Sequence, residues 1–144
     1  MSESMPLVTI YLHGDRLVPD VVSAIVNCVP TRSWQKGQRK RRDSKYIAKS
    51  GLWALESSMD SASVDEQVVW LANCLRNRKV ERLDTIPSVE SAGLDVYVIA
   101  RTIAPRDVSV KLGRESLLTI CALGLELNYT VGVGAEGPRA SECN

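Results

Sequence analysis

Residues 125–133 read Leu-Glu-Leu-Asn-Tyr-Thr-Val-Gly-Val, and the fold class turns on this stretch. Leu125, Leu127, Tyr129, Val131 and Val133 alternate with Glu126, Asn128, Thr130 and Gly132. Side chains on a strand point to opposite faces with a period of two, so the pattern predicts a strand with one buried face and one wet one. Just before it, residues 114–123 put Leu117, Leu118, Cys121 and Ala122 on one face of a predicted helix, with Gly124 as its stop. Further back, residues 94–103 are β-rich and partly alternating and read as another strand. Residues 104–107 make a turn, and 108–112 suit a short strand. The C-terminal half is therefore a strand-helix-strand unit.

The N-terminal half has a similar outline. Residues 7–13 (Leu-Val-Thr-Ile-Tyr-Leu-His) are rich in β-branched and aromatic types and close on Gly14-Asp15. A helix is predicted over 17–27. Pro19 suits its first position, Asp20 favours the helix dipole, and Val22, Ile25, Val26 and Val29 recur at helical spacing until Pro30. Residues 31–44 are polar and aperiodic and read as a long loop. Residues 45–57 read as a strand or hairpin interrupted at Ser50-Gly51. Ser63-Val64-Asp65-Glu66 is a capping-box pattern, which starts a helix running to about Arg78. A short helix or turn covers 80–86. Two such units interleaved predict an α+β fold, a ferredoxin-like antiparallel sheet with helices packed on one face. The expected organisation is a single domain over 1–134 and a disordered tail over 135–144.

With 144 residues, 44% hydrophobic and 24% charged, the chain suits one globular core. It contains no Phe, so Leu, Val and Ile must fill that core. No apolar run approaches the roughly 20 residues that span a bilayer, and no export signal is legible at the N-terminus, so a cytoplasmic location is expected. Cys28, Cys74, Cys121 and Cys143 are far apart and form no CxxC pair, which argues against a disulfide framework. The first three sit among apolar residues and read as small core side chains.

Catalytic constellations are hard to find. His13 is the lone histidine and has no His, Cys or carboxylate partners at ligand spacing, so neither a metal nor a cofactor is expected. Gly132-Val133-Gly134-Ala135-Glu136-Gly137 has GxGxxG spacing, but it follows a strand and leads into Pro138 instead of a helix N-terminus. Trp53 and Trp70 lie among apolar neighbours and read as core. The expectation is a binding protein, not an enzyme.

Charge gives the sharpest lead. Residues 32–49 hold eight basic side chains (Arg32, Lys36, Arg39, Lys40, Arg41, Arg42, Lys45 and Lys49) against the single acid Asp43, a local charge of +7. The remaining chain has ten basic and sixteen acidic residues, a charge of −6, so a net charge of +1 hides a dipolar molecule. Trp34 lies inside the basic stretch. Trp34, Arg39, Arg41 and Arg42 are the candidate partner-binding residues, because Arg pairs carboxylates bidentately and Trp and Arg are common interface anchors. The same composition also suits a nucleic acid or a merely solvated loop, although the acidic remainder would repel a long polyanion.

The order of these pieces resembles the bacterial domain-of-unknown-function family 4279. The resemblance rests on the Val-Thr-Ile-Tyr-Leu strand, Gly14-Asp15-Arg16-Leu17-Val18-Pro19-Asp20, Pro30-Thr31, Trp34, Gly37 and Ser50-Gly51-Leu52-Trp53-Ala54-Leu55. It continues through Val108-Ser109-Val110 to Leu123-Gly124-Leu125-Glu126-Leu127-Asn128-Tyr129. It implies a small bacterial cytoplasmic protein without an established activity and supplies no catalytic residues. Small domains of this kind are sometimes immunity proteins beside secreted toxins, so a cognate toxin is one expected partner, with nucleic acid as the alternative. Gly113 departs from a usual helix start, which favours Ser, Thr or Asp.

Overall fold

A computed structural model describes residues 4–39, 45–59, 62–100 and 110–133. In chain order the elements are β1 (Ser4–Gly14), α1 (Pro19–Val26), β2 (Arg32–Trp34), β3 (Gly51–Glu56), α2 (Val64–Cys74), β4 (Ser91–Ala100), α3 (Arg114–Ala122) and β5 (Glu126–Val133). A 3-10 turn occupies Leu83–Thr85. The class is α+β, as expected. The strands form one sheet in the order β2-β3-β1-β4-β5. β1 runs antiparallel to both β3 and β4, and β2 runs antiparallel to β3. β5 is parallel to β4, so the sheet is mixed where a wholly antiparallel one was expected. The cause is the α3 crossover, which returns the chain to the end of the sheet where β4 began.

One face of the sheet carries the core. Val8, Ile10 and Leu12 of β1, Trp53 and Leu55 of β3, and Ala92, Leu94, Val96 and Val98 of β4 share a face. They pack against Val22 and Val26 of α1, Val64, Val68 and Leu71 of α2, and Ile120 of α3 in one cluster. Trp53 is wholly buried and donates its indole N–H to the Ser23 hydroxyl of α1 (3.0 Å). Trp70 is half-buried at the rim of this cluster. Cys28 and Cys74 are partly buried beside it, but Cys121 is exposed, because it falls on the outer side of α3. Cys143 lies outside the described residues.

α2 begins as its sequence dictates. The Ser63 hydroxyl accepts from the Glu66 amide (3.1 Å), and the Glu66 carboxylate accepts from the Ser63 amide (2.9 Å). The helix ends at Cys74, short of the expected Arg78. The N-cap of α3 is Gly113, which has no capping side chain of its own. Asp65 of α2 supplies the cap, accepting from the Gly113 amide (2.9 Å) and the Ser116 hydroxyl (2.6 Å).

Gln67 is fully buried and closes a gap in the sheet. The β1–β3 ladder stops at Thr9 and Glu56, which leaves the Val8 amide without a strand partner on that side. Gln67 Oε1 accepts that amide (3.0 Å), and its Nε2 donates to the Pro6 and Ala62 carbonyls (2.9 and 3.1 Å). Each polar atom of a buried amide thus has a partner, as burial demands.

Two other expectations changed. Residues 32–34, read as loop, are strand β2, too short to show a period. Val110 and Leu112, read as a strand, pack against the core outside any strand. The expected disordered tail lies outside the described residues. No helix among the described residues is long and apolar enough to cross a membrane.

Candidate functional site

The sheet face opposite the helices is built from the alternate strand residues. Register aligns Arg32, Ala54, Tyr11 and Gly93 in one row, and Trp34, Leu52, His13 and Ser91 in the next. Ala54 is small and fully buried, so the long Arg32 side chain crosses over it to Tyr11. The guanidinium carbon lies 5.9 Å from the Tyr11 ring centroid, within cation–π range, and Nη2 donates to the Tyr11 hydroxyl (3.2 Å). Nη1 lies 3.6 Å from the Glu56 carboxylate. Arg32 is therefore spent on the sheet and does not belong to the free basic surface that the sequence suggested.

Tyr11 and His13, two residues apart on β1, stack with ring centroids 6.0 Å apart and planes at 15°. Burial pushes the His13 imidazole below its usual range, although part of the ring still meets solvent. It is therefore neutral at neutral pH. Further along this face, burial raises the Asp95 carboxyl, with the Thr130 hydroxyl 3.5 Å away opposing the shift.

The basic segment is a hairpin that prolongs β2 and β3 beyond the sheet. Gln38 closes a turn by accepting the Gln35 amide on its side chain (2.7 Å) and donating its own amide to the Gln35 carbonyl (3.1 Å). Gly37 adopts φ +92°, a left-handed value that suits glycine. The chain then re-pairs: the Gly37 amide donates to Ala48 (2.9 Å), the Ala48 amide to Gln38 (2.8 Å), and Arg39 bridges to Ile47. Lys36 pairs with Asp15 at 3.7 Å, which ties the hairpin base to the turn after β1.

Of the four candidate residues, Trp34 is half-buried on the helix-free face, in the row of His13 with Leu52 between them, and Arg39 is exposed on the hairpin. Arg41 and Arg42 lie outside the described residues. The sequence reading missed Tyr46 and Ile47, which are 71% and 54% exposed next to Arg39 and Lys45. The signal is present as two large apolar residues inside a basic run, within the stretch that reads as a strand or hairpin. An open cavity of about 400 Å³ lies elsewhere, on the outer side of α2, lined by Met59, Asp65, Glu66, Val69, Trp70 and Asn73. Asp65 and Glu66 already serve as caps there.

Comparison with known proteins returned no match among curated proteins and none among solved structures. The family model for the Domain of unknown function DUF4279 matches residues 3–133. That span takes in every strand and helix described above, and the chain belongs to the DUF4279 family.

Proposed function

We propose that this chain is a cytoplasmic binding protein whose partner is another protein, with neutralisation of a bacterial toxin by direct occlusion as its role. The observation that carries this reading is the hairpin surface. Exposed Tyr46 and Ile47 stand beside exposed Arg39, Lys45 and Lys49. Interfaces favour aromatic and Arg anchors set among apolar contacts, and a polyanion has no use for an exposed isoleucine. The charge of residues 32–49, +7 in sequence, steers an acidic partner toward this segment. Toxin neutralisation rests on analogy with small bacterial immunity domains. The protein-binding reading stands apart from it.

The test is calorimetric titration of the isolated partner with the wild-type chain and with a variant carrying Trp34→Ala, Arg39→Ala, Arg41→Ala and Arg42→Ala. The variant should keep its far-UV circular dichroism and lose at least tenfold in affinity. Equal affinity would remove these four residues from the interface, and equal affinity after Tyr46→Ala and Ile47→Ala as well would remove the hairpin.

A nucleic-acid partner is the second reading, favoured by the +7 charge of residues 32–49. It requires affinity that falls steeply with salt, with a slope of about −0.9 per phosphate neutralised on duplex DNA. A gel shift showing no complex at low salt would dismiss it.

A further inference from the structure

We infer that the chain forms a two-fold dimer in which β5 pairs antiparallel with β5 of a second copy, joining two sheets edge to edge. β5 is the last strand of the sheet, and its outer edge is unpaired among the described residues. Its register with β4 pairs Leu127 with Leu94, Tyr129 with Val96 and Val131 with Val98, so these three side chains share the helix-bearing core face. Leu94, Val96 and Val98 are buried there, yet Leu127, Tyr129 and Val131 remain 43%, 50% and 41% exposed. The alternation that predicts a buried face is present, but within one chain that face is left half open.

The two edges of the sheet contrast. β2, at the far edge, is three residues long and flanked by charge, which discourages strand addition. β5 has eight residues and no Lys, Arg or Pro. Glu126 is its single charged side chain, so it offers no charge pattern to select a charged partner, and it complements a copy of itself.

Antiparallel pairing about a two-fold axis at Tyr129 sets Leu127 against Val131, Asn128 against Thr130, and Tyr129 against its own copy. Apolar meets apolar on one face and polar meets polar on the other. Glu126 falls opposite Gly132 and so avoids its own copy. Gly132 is the residue over which the Tyr97 hydroxyl lies: a Cβ there would come within 2.6 Å of it. Glu126 of the second copy would thus arrive beside a hydroxyl donor. Because β5 and the basic hairpin occupy opposite edges, the dimer leaves both hairpins exposed, and its existence does not depend on the protein-binding proposal.

Sedimentation of the full chain over a dilution series tests this. The expected mass is twice 15.8 kDa at high concentration, falling to a single chain on dilution. Tyr129→Lys, which opposes two lysines at the axis, and Val131→Lys should each give a single-chain mass where wild type is dimeric, with an unchanged circular dichroism spectrum. Arg39→Ala, on the other edge, should leave the dimer intact. A wild-type chain that is monomeric at every concentration would overturn the inference, as would a dimer that survives both lysine variants.

Discussion

Asp65 lies in the first turn of α2, where a carboxylate suits the helix dipole, and it also caps α3 across 48 residues of sequence. The Ser116 hydroxyl and the Gly113 amide, both donating to it, hold its carboxyl below the usual aspartate range. With the folded value depressed, the unfolded chain takes up the proton first as pH falls. The contribution is complete above the unfolded value, roughly 3.9, and is lost as pH drops through the folded one. Asp65→Ala should cost about 1–2 kcal/mol at neutral pH, read by urea unfolding. Asp65→Asn should weaken the chain at neutral pH but differ little from wild type in strong acid. An Asn variant equally destabilised at both would mean that the charge is irrelevant. Gln67 makes a harsher case. Gln67→Leu keeps its bulk but strands the buried Val8 amide, so about 1–3 kcal/mol should be lost in the same assay.

At the scale of elements, close backbone approach fixes how the chain leaves β1. A Cβ on Gly14 would collide with the Ser88 carbonyl oxygen, where the Glu90 amide returns to the His13 carbonyl (2.7 Å). Gly14→Ala should therefore destabilise by about 1–3 kcal/mol or prevent folding, measured by thermal melting. The elements that were legible in the sequence carry their signal locally. Ser63 and Glu66 announce α2 within four residues, Pro19 and Asp20 announce α1, and the alternation of 125–133 announces β5. The remaining features depend on distant partners. β2 is a strand because Leu52, Trp53 and Ala54 pair with it, and three residues carry no period. Asp65 as the cap of α3 has no local sign. Cys121 reads as core in an apolar run, but the helix turns it outward. At the candidate site, Trp34 and Arg39 were legible through composition. The diversion of Arg32 onto Tyr11 was not, since it requires Ala54 to sit between them in register.

At the scale of the molecule, the sheet separates three surfaces. Helices cover one face, the Tyr11–His13–Arg32 cluster lies on the other, and the basic hairpin projects from the β2–β3 edge. Along the sequence the charge is uneven, +7 over residues 32–49 against −6 elsewhere. Such a dipolar molecule should meet an acidic protein faster than its net charge suggests, and the on-rate should fall as ionic strength rises while the off-rate changes little. Stopped-flow or surface-based kinetics at low and high salt would check this. An on-rate indifferent to salt would assign recognition to the apolar Tyr46 and Ile47 alone.

The hairpin's proposed role is to bind a protein. The most direct measurement is an affinity pulldown from cells that encode the chain, comparing wild type with the Trp34, Arg39, Arg41 and Arg42 alanine variant at two salt concentrations. One dominant protein should be recovered, retained by wild type at both salts and lost with the variant. Recovery of that protein by the variant, or of nucleic acid alone that the higher salt removes, would contradict it.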